Sequence, residues 1–180
     1  MPGVDELTGG DPEFEVLENA RFKVRAVANG EGEAPAGGGF ASVLGTSPSP
    51  STKPQLLIGC DTDVVLDGKA LGKPQGEVEA REYLDRMSGR AHTVLSGLVV
   101  LDGDEERSGL EATSVVFKEL SDAEKERYVR FGEWEGRSGG YAIQTLGSTL
   151  VERVEGSVSN VVGLPVGLLA ELAPGLFDRG

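Results

Sequence analysis

The sequence predicts a mixed α/β fold whose sheet is not purely parallel. Strand-like and helix-like segments alternate from residue 55 onward, an order typical of α/β proteins. Two strand-like segments, 92–101 and 110–120, are joined by the acidic stretch DGDEERSG, and so short a connection predicts an antiparallel pair. The chain has 180 residues, enough for one domain with a sizeable core or for two closely packed lobes.

Charge and composition limit the kinds of partner that this protein can bind. The chain has 17 basic and 30 acidic residues and a net charge of -13, which argues against nucleic acid or an anionic membrane as partner, because both favour basic surfaces. An anionic ligand must therefore be bound by a few local cations. The single cysteine, Cys60, cannot form an internal disulfide, and the chain opens with no signal-like leader or long apolar run. We expect a soluble, cytoplasmic protein.

The first predicted element is a helix over residues 11–28. Asp11 can cap this helix and Pro12 suits its first position, while apolar residues recur at helical spacing. Residues 29–54 are rich in Gly, Ser, Pro and Ala. Because this segment buries too little apolar surface to offset the entropy lost on ordering, we expect a mobile loop.

Strand signals follow the loop. The apolar run QLLIGC at 55–60 is typical of a strand covered on both faces, and VVLDGKAL at 64–71 predicts a hairpin around Asp67 and Gly68. A helix is expected over residues 75–87, before the antiparallel pair.

Capping signals mark the later elements. Ser121 and Glu124 form a capping box for a helix that ends near Phe131. A glycine-rich turn then leads to a strand within 148–156, and a last helix is expected over 165–172, where proline takes the first position.

One acid and one lysine stand out from this background. Asp61 directly follows the apolar run 55–60, and ligands in open α/β sheets bind at the carboxyl ends of strands, so Asp61 is expected at the mouth of a crevice. A cap or Asx turn is the alternative. Lys73 lies between Gly72 and Pro74, which restrict the backbone and can direct its side chain toward Asp61. A solvated surface lysine is the alternative there.

Several segments together resemble the Maf family of nucleoside triphosphate pyrophosphatases. Residues 60–62 (CDT) and 72–74 (GKP) are similar to the ADT and GKP segments that frame the nucleotide cleft of that family. Weaker similarities occur upstream, where 4–6 (VDE) resembles a family segment and Lys23 takes the place of a helical lysine. Other segments match in the same order along the chain: 88–97 (SGRAHTVLSG), 113–117 (TSVVF), 136–144 (GRSGGYAIQ) and 156–165 (GSVSNVVGLP).

This resemblance implies a fold and an activity. The implied fold is a single Maf-like domain over residues 1–180, with a curved mixed sheet flanked by helices and a cleft between two lobes. Members release pyrophosphate and a nucleoside monophosphate. The form YAIQ at 141–144 resembles the branch that prefers dTTP and UTP, so these or modified pyrimidine triphosphates are the implied substrates. This chain starts after the position of the family's SxSPRR phosphate loop, so either its true start lies upstream or it lacks that loop. In the second case, the alternative is a catalytically impaired nucleotide-binding or regulatory homologue.

The resemblance also implies catalytic roles. Asp61 would activate the attacking water, alone or while holding a divalent cation, Mg²⁺ or Mn²⁺. Glu6 would be a second oxygen ligand of that cation, since magnesium takes few carboxylates and shares its other positions with phosphate and water. Lys23 and Lys73 would meet the negative charge of the phosphates.

The resemblance further implies that Thr62 and Gln144 recognise the base. A side-chain amide offers both a donor and an acceptor, which suits the imide edge of thymine or uracil.

Other polar and aromatic residues are given structural roles. Asp63 and Asp67 fit a turn, and His92, the single histidine, is expected to make a hydrogen bond at the start of a strand. Trp134 and Tyr128 are expected to pack the end of a helix or to line the contact of a homodimer.

Overall fold

The computed structural model describes residues 10–29, the backbone of residues 41–43, and residues 56–178. Its helices are α1 (Pro12–Ala28), α2 (Glu77–Met87), α3 (Asp122–Phe131), α4 (Val158–Val162) and α5 (Val166–Leu172). Its strands are β1 (Ala41–Val43), β2 (Leu56–Leu66), β3 (Lys69–Ala70), β4 (Ala91–Asp102), β5 (Glu105–Phe117) and β6 (Val151–Glu155). Short 3-10 turns cover Ser138–Gly140, Leu146–Leu150 and Pro174–Leu176.

The strands form one sheet in the order β1-β2-β4-β5-β6, with β3 attached to β2. The predicted α/β class is confirmed, but every pairing among the described strands is antiparallel, whereas a mixed sheet was expected. The antiparallel pairing of β2 and β4 follows from the hairpin at Asp67 and Gly68. This hairpin reverses the chain into β3 before α2 begins, so β4 returns antiparallel to β2.

Helices cover both faces of the sheet. Leu57 and Val99 pack on α1, and their neighbours Ile58 and Leu98 pack with Leu169 of α5 on the other face, because successive strand residues point to opposite sides. The strand predicted from the run QLLIGC is therefore buried on both faces.

Glycine allows α1 to lie unusually close to the sheet. A Cβ on Gly97 would lie 2.5 Å from the carbonyl oxygen of Val16, and one on Gly59 would lie 2.5 Å from that of Ala20. Contacts this short do not occur, so a larger residue would push the helix away. This close approach brings the polar side of α1 against β2.

The largest apolar cluster lies under α2 and α3 and includes Tyr128 and Trp134, both buried. The Trp134 indole N–H donates to the Val129 carbonyl at 2.8 Å, which matches the expected packing at the helix end. His92 contacts Phe117 edge-on and lies 2.8 Å from the Tyr141 hydroxyl. The hydrogen bond expected for His92 at the start of a strand is thus confirmed.

Local signals in the sequence mark several element ends. Asp11 caps α1 by accepting from the Glu13 N–H at 3.1 Å, and the Ser121–Glu124 capping box is present at α3. Residues 41–43, inside the segment predicted as a mobile loop, instead pair with β2 as its edge strand. The rest of that segment lies outside the described residues, and no described helix is long and apolar enough to cross a membrane.

Candidate functional site

A cavity of about 440 Å³ lies beside the middle of β2. Its walls come from α1, β2, the turn after β3, α2, the glycine-rich segment 136–144 and the end of α4. Its charged lining is four acids and two cations, Glu15, Asp61, Asp63, Glu79, Lys73 and Arg137. We call this space the site cavity.

Four of the residues predicted for the site line this one cavity: Asp61, Thr62, Lys73 and Gln144. They come from β2, the turn after β3 and the glycine-rich segment 136–144, and the fold brings them together. Glu6 lies outside the described residues.

Asp61 does not end its strand, as the sequence had indicated. It lies in the middle of β2, which continues to Leu66, and it pairs in register with Gly97 of β4. The strand continues because Thr62, Val64 and Val65 pair with β4 in the same register, and β-branched side chains suit a pleated surface. Asp61 reaches the site cavity from within the sheet and is only 8% exposed.

Two side chains of α1 hold the Asp61 carboxylate. Lys23 donates from its ammonium to Oδ1, and Asn19 donates from its side-chain amide to Oδ2 at 3.1 Å. Glu15, Asn19 and Lys23 follow one another at four-residue spacing, so they form one stripe along α1, and all three are buried. A buried carboxylate is costly unless it is paired and hydrogen-bonded, and this stripe meets that requirement.

Lys23, predicted to meet the charge of the phosphates, is buried against Asp61, which lines the site cavity. Its side chain is 1% exposed, it does not line the site cavity, and it forms an ion pair with Asp61. The close packing of α1 on β2 explains this placement, because it brings the ammonium against the carboxylate of Asp61. Lys23 is therefore placed to compensate the charge of Asp61 and to orient it.

Thr62 is held from across the sheet. Its hydroxyl lies 2.7 Å from that of Ser96, its register partner in β4. Cys60 is buried on the same strand, and burial raises the pKa of its thiol to about 11. A thiol that stays protonated at neutral pH is a poor nucleophile, so Cys60 is a small buried residue of the strand.

The turn that carries Lys73 is braced by α2. The Leu71 N–H donates to the Val64 carbonyl at 2.9 Å, and the Tyr83 hydroxyl contacts the Leu71 carbonyl. The Tyr83 hydroxyl also lies 2.9 Å from Glu79, whose other oxygen accepts from the Gln75 N–H at 2.8 Å. That backbone hydrogen bond is the main cause that lowers the pKa of Glu79.

The glycine-rich segment is fastened to both β2 and the Lys73 turn. Ser138 donates to Asp63 Oδ1 at 2.7 Å and accepts from the Val64 N–H at 3.0 Å. The Gly139 N–H donates to the Gly72 carbonyl at 2.7 Å. Asp63, which the sequence indicated as a turn residue, is therefore part of β2 and lines the site cavity.

Glycine is required at position 139 for the segment to lie this close to β2. Its φ is 67°, a conformation that favours glycine, and a Cβ there would lie 2.6 Å from the Val64 side chain.

The site cavity offers oxygen ligands for a hard divalent cation. Glu15 and Asp61 line it together with Asn19, and these are the donor atoms that magnesium or manganese prefers. Within the described residues, no group of three or more His, Cys, Asp or Glu side chains is placed to hold a metal ion. One or two protein carboxylates fit magnesium in a nucleotide site, because substrate phosphates and water complete its shell.

Sequence reasoning missed Glu15, Asn19, Asp63 and Arg137. The four-residue spacing that ends at Lys23 marks the first two, and the two-residue period of a strand starting from Asp61 marks Asp63. Arg137 lies inside a segment that was singled out, GRSGGYAIQ, but was given no role there.

Comparison with known proteins adds independent findings. A family model described as Maf-like protein matches residues 1–175. The dTTP/UTP pyrophosphatase of Alkalilimnicola ehrlichii is 42% identical over 173 residues, which cover 95% of this chain and 78% of that protein. The enzyme of the same name from Deinococcus radiodurans is 37% identical over 165 residues, 92% of this chain and 74% of that protein. The one from Pyrococcus furiosus is 46% identical over 116 residues, and the match spans 61% of its length, less than two thirds.

Proposed function

Because the chain belongs to the Maf family, we propose that it hydrolyses nucleoside triphosphates, dTTP and UTP in particular, to the monophosphate and pyrophosphate. The observation that carries this proposal is the convergence of Asp61, Thr62, Lys73 and Gln144 on one cavity. Relatives named dTTP/UTP pyrophosphatase support the choice of substrate.

Asp61 is the general base of the proposed reaction. Its carboxylate accepts a proton from a water molecule, the water oxygen attacks the α-phosphorus, and the bond from that phosphorus to the bridging oxygen breaks to release pyrophosphate. Lys23 and Asn19 each use part of the acceptor capacity of one carboxylate oxygen. Because an ionised carboxylate has about four lone-pair sites, acceptor capacity remains for the water.

Lys73 is the proposed phosphate contact. A triphosphate carries about four negative charges, which cations must offset as the bond breaks. Lys73 lines the site cavity on a braced turn. Binding therefore does not have to order the backbone of this turn.

A divalent cation, Mg²⁺ or Mn²⁺, is the proposed cofactor. When bound, it would offset charge on the phosphate oxygens. Asp61 and Glu6 are its proposed protein ligands, and Glu15 is a further carboxylate that lines the cavity.

Gln144 and Thr62 are the proposed contacts to the base. The amide of Gln144 would pair with a carbonyl and the N–H of thymine or uracil, and the Thr62 hydroxyl has one further hydrogen-bonding direction beside Ser96. A single domain over 1–180, a cytoplasmic location and a homodimer stay predictions from the sequence.

The proposal is tested by incubating the protein with dTTP or UTP and with Mg²⁺ or Mn²⁺, and measuring pyrophosphate. We expect release from both nucleotides and a loss of about 10²- to 10⁴-fold in kcat for Asp61→Asn. Asp67→Asn is the matched control, because Asp67 is an exposed carboxylate in the hairpin turn and asparagine tolerates its positive φ. Nucleotide binding by calorimetry without any release would contradict hydrolysis and favour the regulatory homologue.

A further inference from the structure

We propose that Arg137 contacts the triphosphate as a second cation beside Lys73, and that Ser138 is the positioning residue that holds it at the site cavity. This inference rests on the proposed function, since it names a further contact to the same substrate. It goes beyond the residues that the sequence pattern assigned.

The lining of the cavity contains more acids than cations. Four carboxylates line it, and Lys23 is buried in its ion pair with Asp61. Among the described residues, only Lys73 and Arg137 supply positive charge to the lining. We therefore expect a ligand with about four negative charges to contact both, in addition to any divalent cation.

A backbone hydrogen bond joins the segment that carries Arg137 to the segment that carries Lys73. The Gly139 N–H donates to the carbonyl of Gly72, the residue directly before Lys73. Since Gly139 is two residues after Arg137, this bond joins the two cation-bearing segments at one rim of the cavity. A Cβ at position 139 would meet the Val64 side chain at 2.6 Å, so this segment also lies close against β2.

Ser138 fastens the same segment to β2. It donates to Asp63 and accepts from the backbone of Val64, so one side chain satisfies two groups of the strand that carries Asp61. Ser138 directly follows Arg137 in the chain. Its two hydrogen bonds therefore set the position of the Arg137 backbone relative to the catalytic strand.

The Arg137 side chain is available for a ligand. It is exposed, and it makes no ion pair or side-chain hydrogen bond with any residue in the described part of the chain. A guanidinium presents a planar pair of donors that matches two phosphate oxygens, and it stays charged at every physiological pH.

The test measures binding of inorganic triphosphate by calorimetry with Mg²⁺ present. We expect Arg137→Ala to weaken this binding by about 10- to 100-fold, the loss typical of a hydrogen bond to a charged group. Arg137→Lys should retain part of the affinity, because it keeps the charge but not the paired donors. Arg130→Ala is the matched control: Arg130 is an exposed arginine of α3 outside the cavity, so the net charge changes equally.

The positioning role of Ser138 is tested by comparing the effect of Ser138→Ala on triphosphate binding in two backgrounds. If Ser138 acts through Arg137, Ser138→Ala weakens triphosphate binding in the wild-type background but has no further effect in Arg137→Ala. A Ser138 that only stabilised the fold would weaken binding equally in both backgrounds, which would overturn its positioning role.

The outcomes separate this inference from the proposed function. Unchanged triphosphate affinity in Arg137→Ala, or an equal loss in Arg130→Ala, overturns the inference even when the wild type hydrolyses dTTP. Absence of triphosphate binding to the wild type overturns it as well. A wild type that binds triphosphate through Arg137 but releases no pyrophosphate from dTTP or UTP supports the inference and contradicts the proposed function.

Discussion

The buried ion pair between Lys23 and Asp61 is the feature whose removal has the most direct consequence for stability. The Lys23 side chain is 1% exposed and that of Asp61 is 11% exposed. Replacing Lys23 with methionine keeps most of the apolar stem but leaves the carboxylate without its counter-charge. Breaking one partner of a buried pair typically costs about 3–5 kcal/mol. For a domain of this size that corresponds to a fall in Tm of about 6–20 °C.

The assay is urea denaturation followed by the fluorescence of Trp134, the single tryptophan, which is buried. The double variant Lys23→Met/Asp61→Asn removes both charges and should cost clearly less than the sum of the two single variants. Arg130→Met serves as control, because Arg130 pairs with Glu126 at an exposed site and should change stability by less than about 1 kcal/mol. A cost below about 1 kcal/mol for Lys23→Met, or additive costs in the double variant, would refute this reasoning.

Three further predictions concern packing, pH and specificity. Gly97→Ala should destabilise the fold in urea by about 1–3 kcal/mol because its Cβ would meet the backbone of α1. Gly175→Ala, where no atom lies within 4 Å of the added Cβ, should change the stability by less than about 0.5 kcal/mol, and equal costs would contradict the packing argument. Burial lowers the pKa of His92 to about 4, so between pH 6.5 and 4 the unfolded state binds more protons and stability falls as the pH falls. Wild type should lose about 2 kcal/mol more than His92→Asn between pH 7.5 and 5 in urea titrations, and parallel pH profiles would contradict this. Gln144→Leu should raise the KM for dTTP by about 10-fold or more while inorganic triphosphate binds as before; an unchanged KM would remove Gln144 from base recognition.

Local elements were well predicted because their signals lie within a few residues. The Asp11 cap, the Ser121–Glu124 capping box and the hairpin at Asp67 and Gly68 each depend on neighbours in the chain, and all three are present. The antiparallel pairing of β4 and β5 follows in the same way from the short turn between them.

The residues of the site were predicted in part. Asp61, Thr62, Lys73 and Gln144 were selected from motifs, and they line one cavity. The predicted position of Asp61 at the end of its strand was wrong, because we took the first polar residue after the apolar run as the end of the strand. Pairing with β4 decides where β2 ends, and β4 begins thirty residues later in the chain than Asp61.

The sequence by itself determined the family, the order of the elements and the candidate acid and lysine, because the signals for each lie within segments of three to ten residues. Tertiary structure alone decided that Lys23 meets Asp61 across 38 residues, and that Ser138 meets Asp63 across 75. Such contacts depend on how closely a helix or loop can approach a strand. That distance is set at Gly97 and Gly139 by the absence of a side chain, and its consequences appear only once the chain is folded.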